Sequence, residues 1–89
     1  DYITSRPLAS QAADELLNVS GILTSFVLYP DGDRVVICAR SIGDVNVQVV
    51  LEPLGGGGNA ATAGAQVSGK SPHQVLMELV ASIDKFYEG

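Results

Sequence analysis

Eighty-nine residues, 46% of them hydrophobic, suffice for one small domain with one core and leave no room for a second. Ten acidic against five basic side chains give a net charge of -5, the wrong sign for gripping a long nucleic acid by counterion release, although a few local donors are enough for a short or cyclic nucleotide. The longest uninterrupted apolar run, Val35 to Ala39, falls far short of the ~20 residues that a membrane-spanning helix needs.

The chain begins at Asp1 without a methionine, a basic leader or an apolar leader, so the expectation is a chain that is either processed or, the favoured reading, cut from a longer protein. A single cysteine, Cys38, permits no internal disulfide and suits the cytosol. It sits in an apolar, strand-like run and reads as a small buried hydrophobe. Asp1 to Arg6 is a polar lead-in with a possible strand fragment around Tyr2 and Ile3. Pro7 then fits a first helical turn, and Leu8, Ala12, Leu16 and Leu17 form a helical stripe that stops at Gly21. Asp14 and Glu15 fall on its solvated face.

Ile22 to Tyr29 and Arg34 to Ala39 are rich in β-branched and aromatic residues, and Pro30-Asp31-Gly32-Asp33 between them is strong turn chemistry. This predicts a β-hairpin. Asp31 and Asp33 lack the first-position acid and twelfth-position glutamate of an EF-hand, so they are turn residues. In Val45 to Leu54, alternation of Val45, Val47 and Val49 suits a strand, whereas Val47, Val50, Leu51 and Leu54 suit a helix. Asp44 as N-cap and Pro53 near the end favour a short helix ending about Glu52. Gly55-Gly56-Gly57-Gly58 follows, a nearly bare backbone that is either a candidate anion cradle or a flexible linker. Ala63 to Val67 is predicted as a strand. The last helix opens on a capping box, with Ser71 at N-cap, Pro72 at N1 and Gln74 at N3, and carries an apolar face of Val75, Leu76, Leu79, Val80, Ile83 and Tyr87. His73 in its first turn is expected to be exposed, and the aromatics Tyr2, Phe26, Tyr29, Phe86 and Tyr87 to serve as core and edge residues.

Two nucleotide signals overlap. Gly64-Ala65-Gln66-Val67-Ser68-Gly69-Lys70-Ser71 matches the P-loop pattern and leads into a helix, but no buried strand feeds Gly64 and no later strand supplies a magnesium-holding aspartate. It is the weaker signal. The other runs from Ala39-Arg40-Ser41-Ile42-Gly43-Asp44-Val45-Asn46-Val47-Gln48 to Leu54-Gly55-Gly56-Gly57-Gly58. That run resembles the DHH-associated C-terminal domain of DHH-superfamily phosphodiesterases, and within them the membrane-anchored cyclic di-AMP phosphodiesterases of the GdpP type. The resemblance extends over nearly the whole chain, from Ala12-Ala13-Asp14-Glu15-Leu16-Leu17 to the last helix.

The resemblance implies a cytoplasmic domain that closes over a cyclic or linear dinucleotide, next to an upstream DHH catalytic domain whose Asp and His side chains hold two metal ions, usually manganese. No cofactor is implied in this chain itself. Carried over by position, Gly55, Gly56, Gly57 and Gly58 would form a ligand wall, and Arg40 and Ser41 would face the same cleft as phosphate donors, roles that suit a guanidinium fork and a hydroxyl. The family motif ends in histidine after its glycines, and this chain has Asn59 there. An amide can still donate a hydrogen bond, but it cannot become a cation or a general acid. The expected fold is α+β: a small mixed sheet of three or four strands packed by helices, in the order α-β-β-α, glycine loop, β-α. The expected function is substrate recognition without catalysis, since no set of Asp, Glu, His and Cys has di-metal spacing. The alternative is an interaction module, in which the glycines only let two backbones pack closely, as in a homodimer.

Overall fold

A computed structural model of the chain describes residue 11, residues 13–15 and residues 23–88. The lead-in and most of the first expected helix lie outside the described residues, but Gln11, Ala13, Asp14 and Glu15 are helical. The rest follows the expected α+β class: β1 (Thr24–Asp31) and β2 (Arg34–Ser41), a short helix α1 (Val47–Leu51) that continues as a 3-10 turn over Glu52–Leu54, β3 (Gly57–Gly58), β4 (Thr62–Ser68) and the long helix α2 (Pro72–Glu88). The sheet order is β1-β2-β4-β3. Every pairing is antiparallel, where a mixed sheet was expected. Short connections account for two of the three pairings: β1 and β2 are joined through Gly32 and Asp33, and β3 and β4 through Asn59 to Ala61, whereas a parallel pair needs a long crossover. Gly32 takes φ +64°, the left-handed conformation that a two-residue hairpin turn favours.

β2 is central and buried on both faces from Val35 to Ala39. On one face, Val35, Ile37 and Ala39 meet Ala63, Ala65 and Val67 of β4, and Val47, Val50, Leu51, Val75 and Leu79 of the two helices close the core over them. A five-residue helix is too short to hold itself together. α1 persists because three of its five residues, Val47, Val50 and Leu51, are buried, each contributing about 1.5–3 kcal/mol. Its N-cap is Asn46, whose Oδ1 accepts from the Val49 N–H at 3.2 Å, and not Asp44 as expected. Val45 is buried ahead of it, which holds the chain extended past Asp44 and delays the first turn.

The capping box of α2 forms as expected: the Gln74 N–H donates to Ser71 Oγ, and the Ser71 N–H donates to Gln74 Oε1, both at 3.1 Å. The face it buries is rotated from the expected one. Val75 and Leu79 are in the core, with Ile83 and Phe86 packed against them. Leu76, Val80 and Tyr87 are exposed. The stripe of 75, 79, 83 and 86 follows the helical repeat more closely than one ending at 87. Among the described residues no helix is long and apolar enough to cross a membrane.

The glycine run is ordered, and each position has its own reason. Gly55 sits at φ +82°. Its N–H reaches Glu52 O at 3.0 Å and the Gly56 N–H reaches Leu51 O at 2.9 Å, the paired bonds of a Schellman stop. A Cβ on Gly56 would come within 2.6 Å of Gly64 O and 2.9 Å of both Ala65 Cβ and Leu51 Cβ. Gly58, at φ +142°, would drive a Cβ into Thr62 O and Ala63 Cα. At Gly57 φ is not positive and nothing lies within 4 Å. Gly56→Ala is therefore expected to cost about 1–3 kcal/mol by overpacking, which for a domain of this size lowers Tm by several degrees. Gly57→Ala should leave Tm unchanged or slightly raised, and equal melting of the two variants would contradict this packing.

Candidate functional site

The face of the sheet away from the main core is set by strand alternation. Val36, Cys38 and Arg40 of β2 stand in register with Gln66, Gly64 and Thr62 of β4, and Gly57 of β3 pairs with Gly64. Beside these residues opens a cleft of about 490 Å³, with Arg40 and Thr62 at one end, Gln66 at the other, and Gly55 and Gly57 on its wall. Arg40 and two of the four glycines, Gly55 and Gly57, thus line one cleft.

Arg40 enters the cleft preset. Its Nε donates to Asp14 Oδ1 at 2.8 Å and its Nη1 to the Ala39 carbonyl at 2.9 Å. The side chain is 15% exposed against 62% for Asp14. Those two bonds fix the guanidinium plane, and among the described residues Nη2 carries no bond. Asp14 is exposed, as expected of a solvated face, and also holds this arginine.

Ser41 is not in the cleft. One residue after Arg40 on the same strand, it faces the opposite side and is only 4% exposed. Its Oγ lies 3.2 Å from Thr24 Oγ1 and accepts from the Gly43 N–H at 3.3 Å, while its backbone N–H donates to Ala61 O at 2.8 Å. Successive strand residues point to opposite faces, so Arg40 and Ser41 cannot both be donors to one ligand from β2. Ser41 instead ties the end of β2 to β1 and to the loop before β4.

Gly56, Gly58 and Asn59, expected on the same wall, are not among the residues that line the cleft. Asn59 Oδ1 accepts from the N–H groups of Ala61 and Thr62, both at 2.9 Å, and its own N–H donates to Thr62 O at 2.7 Å. It therefore closes the β3–β4 turn, a role its short acceptor side chain suits. The far side of that turn is tied to α1 by the Val47 N–H, which donates to Ala60 O at 3.1 Å.

The P-loop reading fails on this geometry. Gly64 to Ser68, which would have to wrap a phosphate, is an extended strand paired residue by residue with Cys38 to Arg34. Its extended backbone is laddered to β2 along its length and cannot wrap a phosphate, and Lys70 Nζ is held by Glu78 Oε2 at 2.7 Å. Among the described residues no three of His, Cys, Asp and Glu converge into a metal-holding group. The manganese implied by the family resemblance therefore fits no set of residues described here.

Residues 2–89 match the DHHA1 domain. The chain belongs to the DHHA1 family. This DHHA1 domain is 47% identical over 83 residues to the cyclic-di-AMP phosphodiesterase GdpP of Geobacillus thermodenitrificans and 46% identical over the same length to GdpP of Bacillus subtilis. To the cyclic-di-AMP phosphodiesterase PdeA of Listeria monocytogenes it is 39% identical. Each match takes in 92% of this chain and 13% of the relative, so the DHHA1 domain spans a small part of those proteins.

Sequence reasoning missed Thr62, Gly64 and Gln66 as cleft residues of the DHHA1 domain, and Asp14 as the partner of Arg40. The alternation of β4, with Ala63, Ala65 and Val67 buried and the residues between them exposed, carried that signal. It becomes usable only once the β2–β4 register is known. For Asn59, the two accepted bonds predict that Asn59→Ala lowers unfolding free energy by about 1–2 kcal/mol in a urea titration, whereas Asn59→Asp, which keeps the acceptor oxygen, stays close to the native value. A loss as large for aspartate as for alanine would show that the amide nitrogen, and not the oxygen, carries the turn.

Proposed function

We propose that this DHHA1 domain is the substrate-recognition part of a DHH-family phosphodiesterase, and that the cleft between Arg40 and the glycine wall takes a phosphate and base of a cyclic or linear dinucleotide such as cyclic di-AMP. The relatives are cyclic-di-AMP phosphodiesterases by name, and the observation that carries the reading is Arg40 and Gly57 on one cleft. Arg40 is a half-satisfied guanidinium held in one plane, suited to receive an anion through its Nη groups. Gly57 is a position where the fold leaves a side chain room and none is present, which suits close approach of a ligand to backbone.

In this reading the chain binds and orients, and it takes no step of the bond cleavage. Hydrolysis belongs to an upstream DHH domain, where manganese would supply the activated water. Ser41 contributes by positioning the end of β2, and Asn59 by holding the turn that follows the glycines. The parent enzyme is taken to be membrane-anchored, with this domain on the cytoplasmic side.

A second reading, an interaction or homodimer module, draws on the exposed apolar side chains of α2: Leu76 at 45%, Met77 at 56%, Val80 at 44% and Tyr87 at 70%. Amide NMR titration with cyclic di-AMP and with linear pApA separates the two. Recognition predicts shifts concentrated at Arg40, Gly55 to Asn59 and the facing residues of β4, and a loss of roughly 10- to 100-fold in affinity for Arg40→Ala, the size of a charge-assisted hydrogen bond. Absence of shifts at millimolar ligand, together with shifts on α2 as the protein is concentrated, would favour the interaction module.

A further inference from the structure

Among the described glycines, only two are not required by the fold. Gly32, Gly55, Gly58 and Gly69 have positive φ. A Cβ on Gly43 would press on Leu23 at 3.0 Å, and one on Gly56 would strike backbone. The exceptions are Gly57, with nothing within 4 Å, and Gly64, whose nearest neighbour would be Ile37 O at an ordinary 3.4 Å. These two are Cα partners across β3 and β4, and both line the cleft. Glycine weakens a strand, so a facing pair of dispensable glycines is a flat patch of peptide kept bare at a cost in stability.

Gln66 borders that patch. It is two residues beyond Gly64 on the same face of β4, ~7 Å along the strand. Its side chain is oriented, because Arg34 Nη1 donates to Gln66 Oε1 at 2.8 Å. Only the oxygen can accept that bond, so the amide oxygen faces the guanidinium and Nε2 is left as donor. Arg40, level with Thr62, stands a similar step from Gly64 in the other direction.

We infer that Gly57 and Gly64 form a platform for the nucleobase and that Gln66 is the residue that selects it, reading the exposed edge of an adenine. This rests on the dinucleotide reading of the cleft and goes beyond it by naming the base and the residue that recognises it. A planar ring lying on the paired peptides has its phosphate toward Arg40 and its edge toward Gln66. The carboxamide then donates from Nε2 to the ring N7 and accepts the N6 amino hydrogen on the second lone pair of Oε1, the two-point match of glutamine to adenine. Guanine sets a carbonyl oxygen where the amino group should be, and opposes the amide oxygen. A flipped amide would only move the clash to N7, so Arg34 acts as a positioning residue that holds the one orientation adenine needs.

The test is calorimetric titration of the 89-residue chain with pApA and with pGpG, for the native sequence and for Gln66→Ala, Gly64→Val and Arg40→Ala. The native chain is expected to prefer pApA by roughly tenfold or more. Gln66→Ala should bring the ratio of the two affinities close to one. Arg40→Ala should weaken both ligands and preserve the ratio. Gly64→Val should weaken both by about tenfold or more, with Tm at or above the native value, since valine suits a strand. An unchanged ratio in Gln66→Ala, or unimpaired binding in Gly64→Val, overturns the inference while leaving the dinucleotide reading intact. Failure of the native chain to bind either ligand at millimolar concentration removes both.

Discussion

The contact on which the rest depends is the approach of the Gly56 backbone to β4. With Gly64 O, Ala65 Cβ and Leu51 Cβ all inside 3 Å of where a side chain would start, the chain leaving α1 is laid directly on the sheet. Contact at that range between two backbones and a helix leaves little freedom, because packed interiors respond to even a single added carbon. It brings Gly57 into register with Gly64 and thereby makes a strand out of residues with the poorest strand propensity. The wall of the cleft is consequently rigid, although its composition resembles that of a linker.

That rigidity is supported from both sides. The Schellman bonds from Gly55 and Gly56 fix where the helix stops, and the Asn59 side chain fixes where β4 starts. The Val47 N–H reaching Ala60 O joins the two ends. Asn59 is thus a member of the scaffold, its side-chain oxygen fully engaged by the turn. A preorganised wall loses less freedom on binding than a mobile one, which is the main way a small site gains affinity.

How much of this was legible follows from how local each signal is. The hairpin and the capping box of α2 were readable because Gly32, Ser71 and Gln74 act on neighbours within four residues. The N-cap of α1 was missed by two residues because burial of Val45, a tertiary matter, decides between Asp44 and Asn46. The P-loop pattern was already the weaker signal, because Ala63 to Val67 reads as a strand, but its partner could not be read locally: eight residues of sequence do not reveal that Gly64 to Ser68 will pair with Cys38 to Arg34. Arg40 and Ser41 were assigned to one cleft together, yet neighbours on a strand diverge, so only one could be there. The glycines were legible as a feature and not as four separate roles, since Gly55 is defined by its φ, Gly56 and Gly58 by their neighbours, and Gly57 by the lack of one.

The two-residue length of β3 has one more effect. A sheet edge presents free N–H and C=O groups that invite another chain to add a strand, and this edge borders the cleft. Gly57 and Gly58 alone, followed at once by a turn in which Asn59, Ala61 and Thr62 bond to one another, offer too short a row to template such an addition. At the cleft itself, therefore, the bare backbone of β3 presents too short a row to seed the aggregation that a longer exposed, side-chain-free strand would promote.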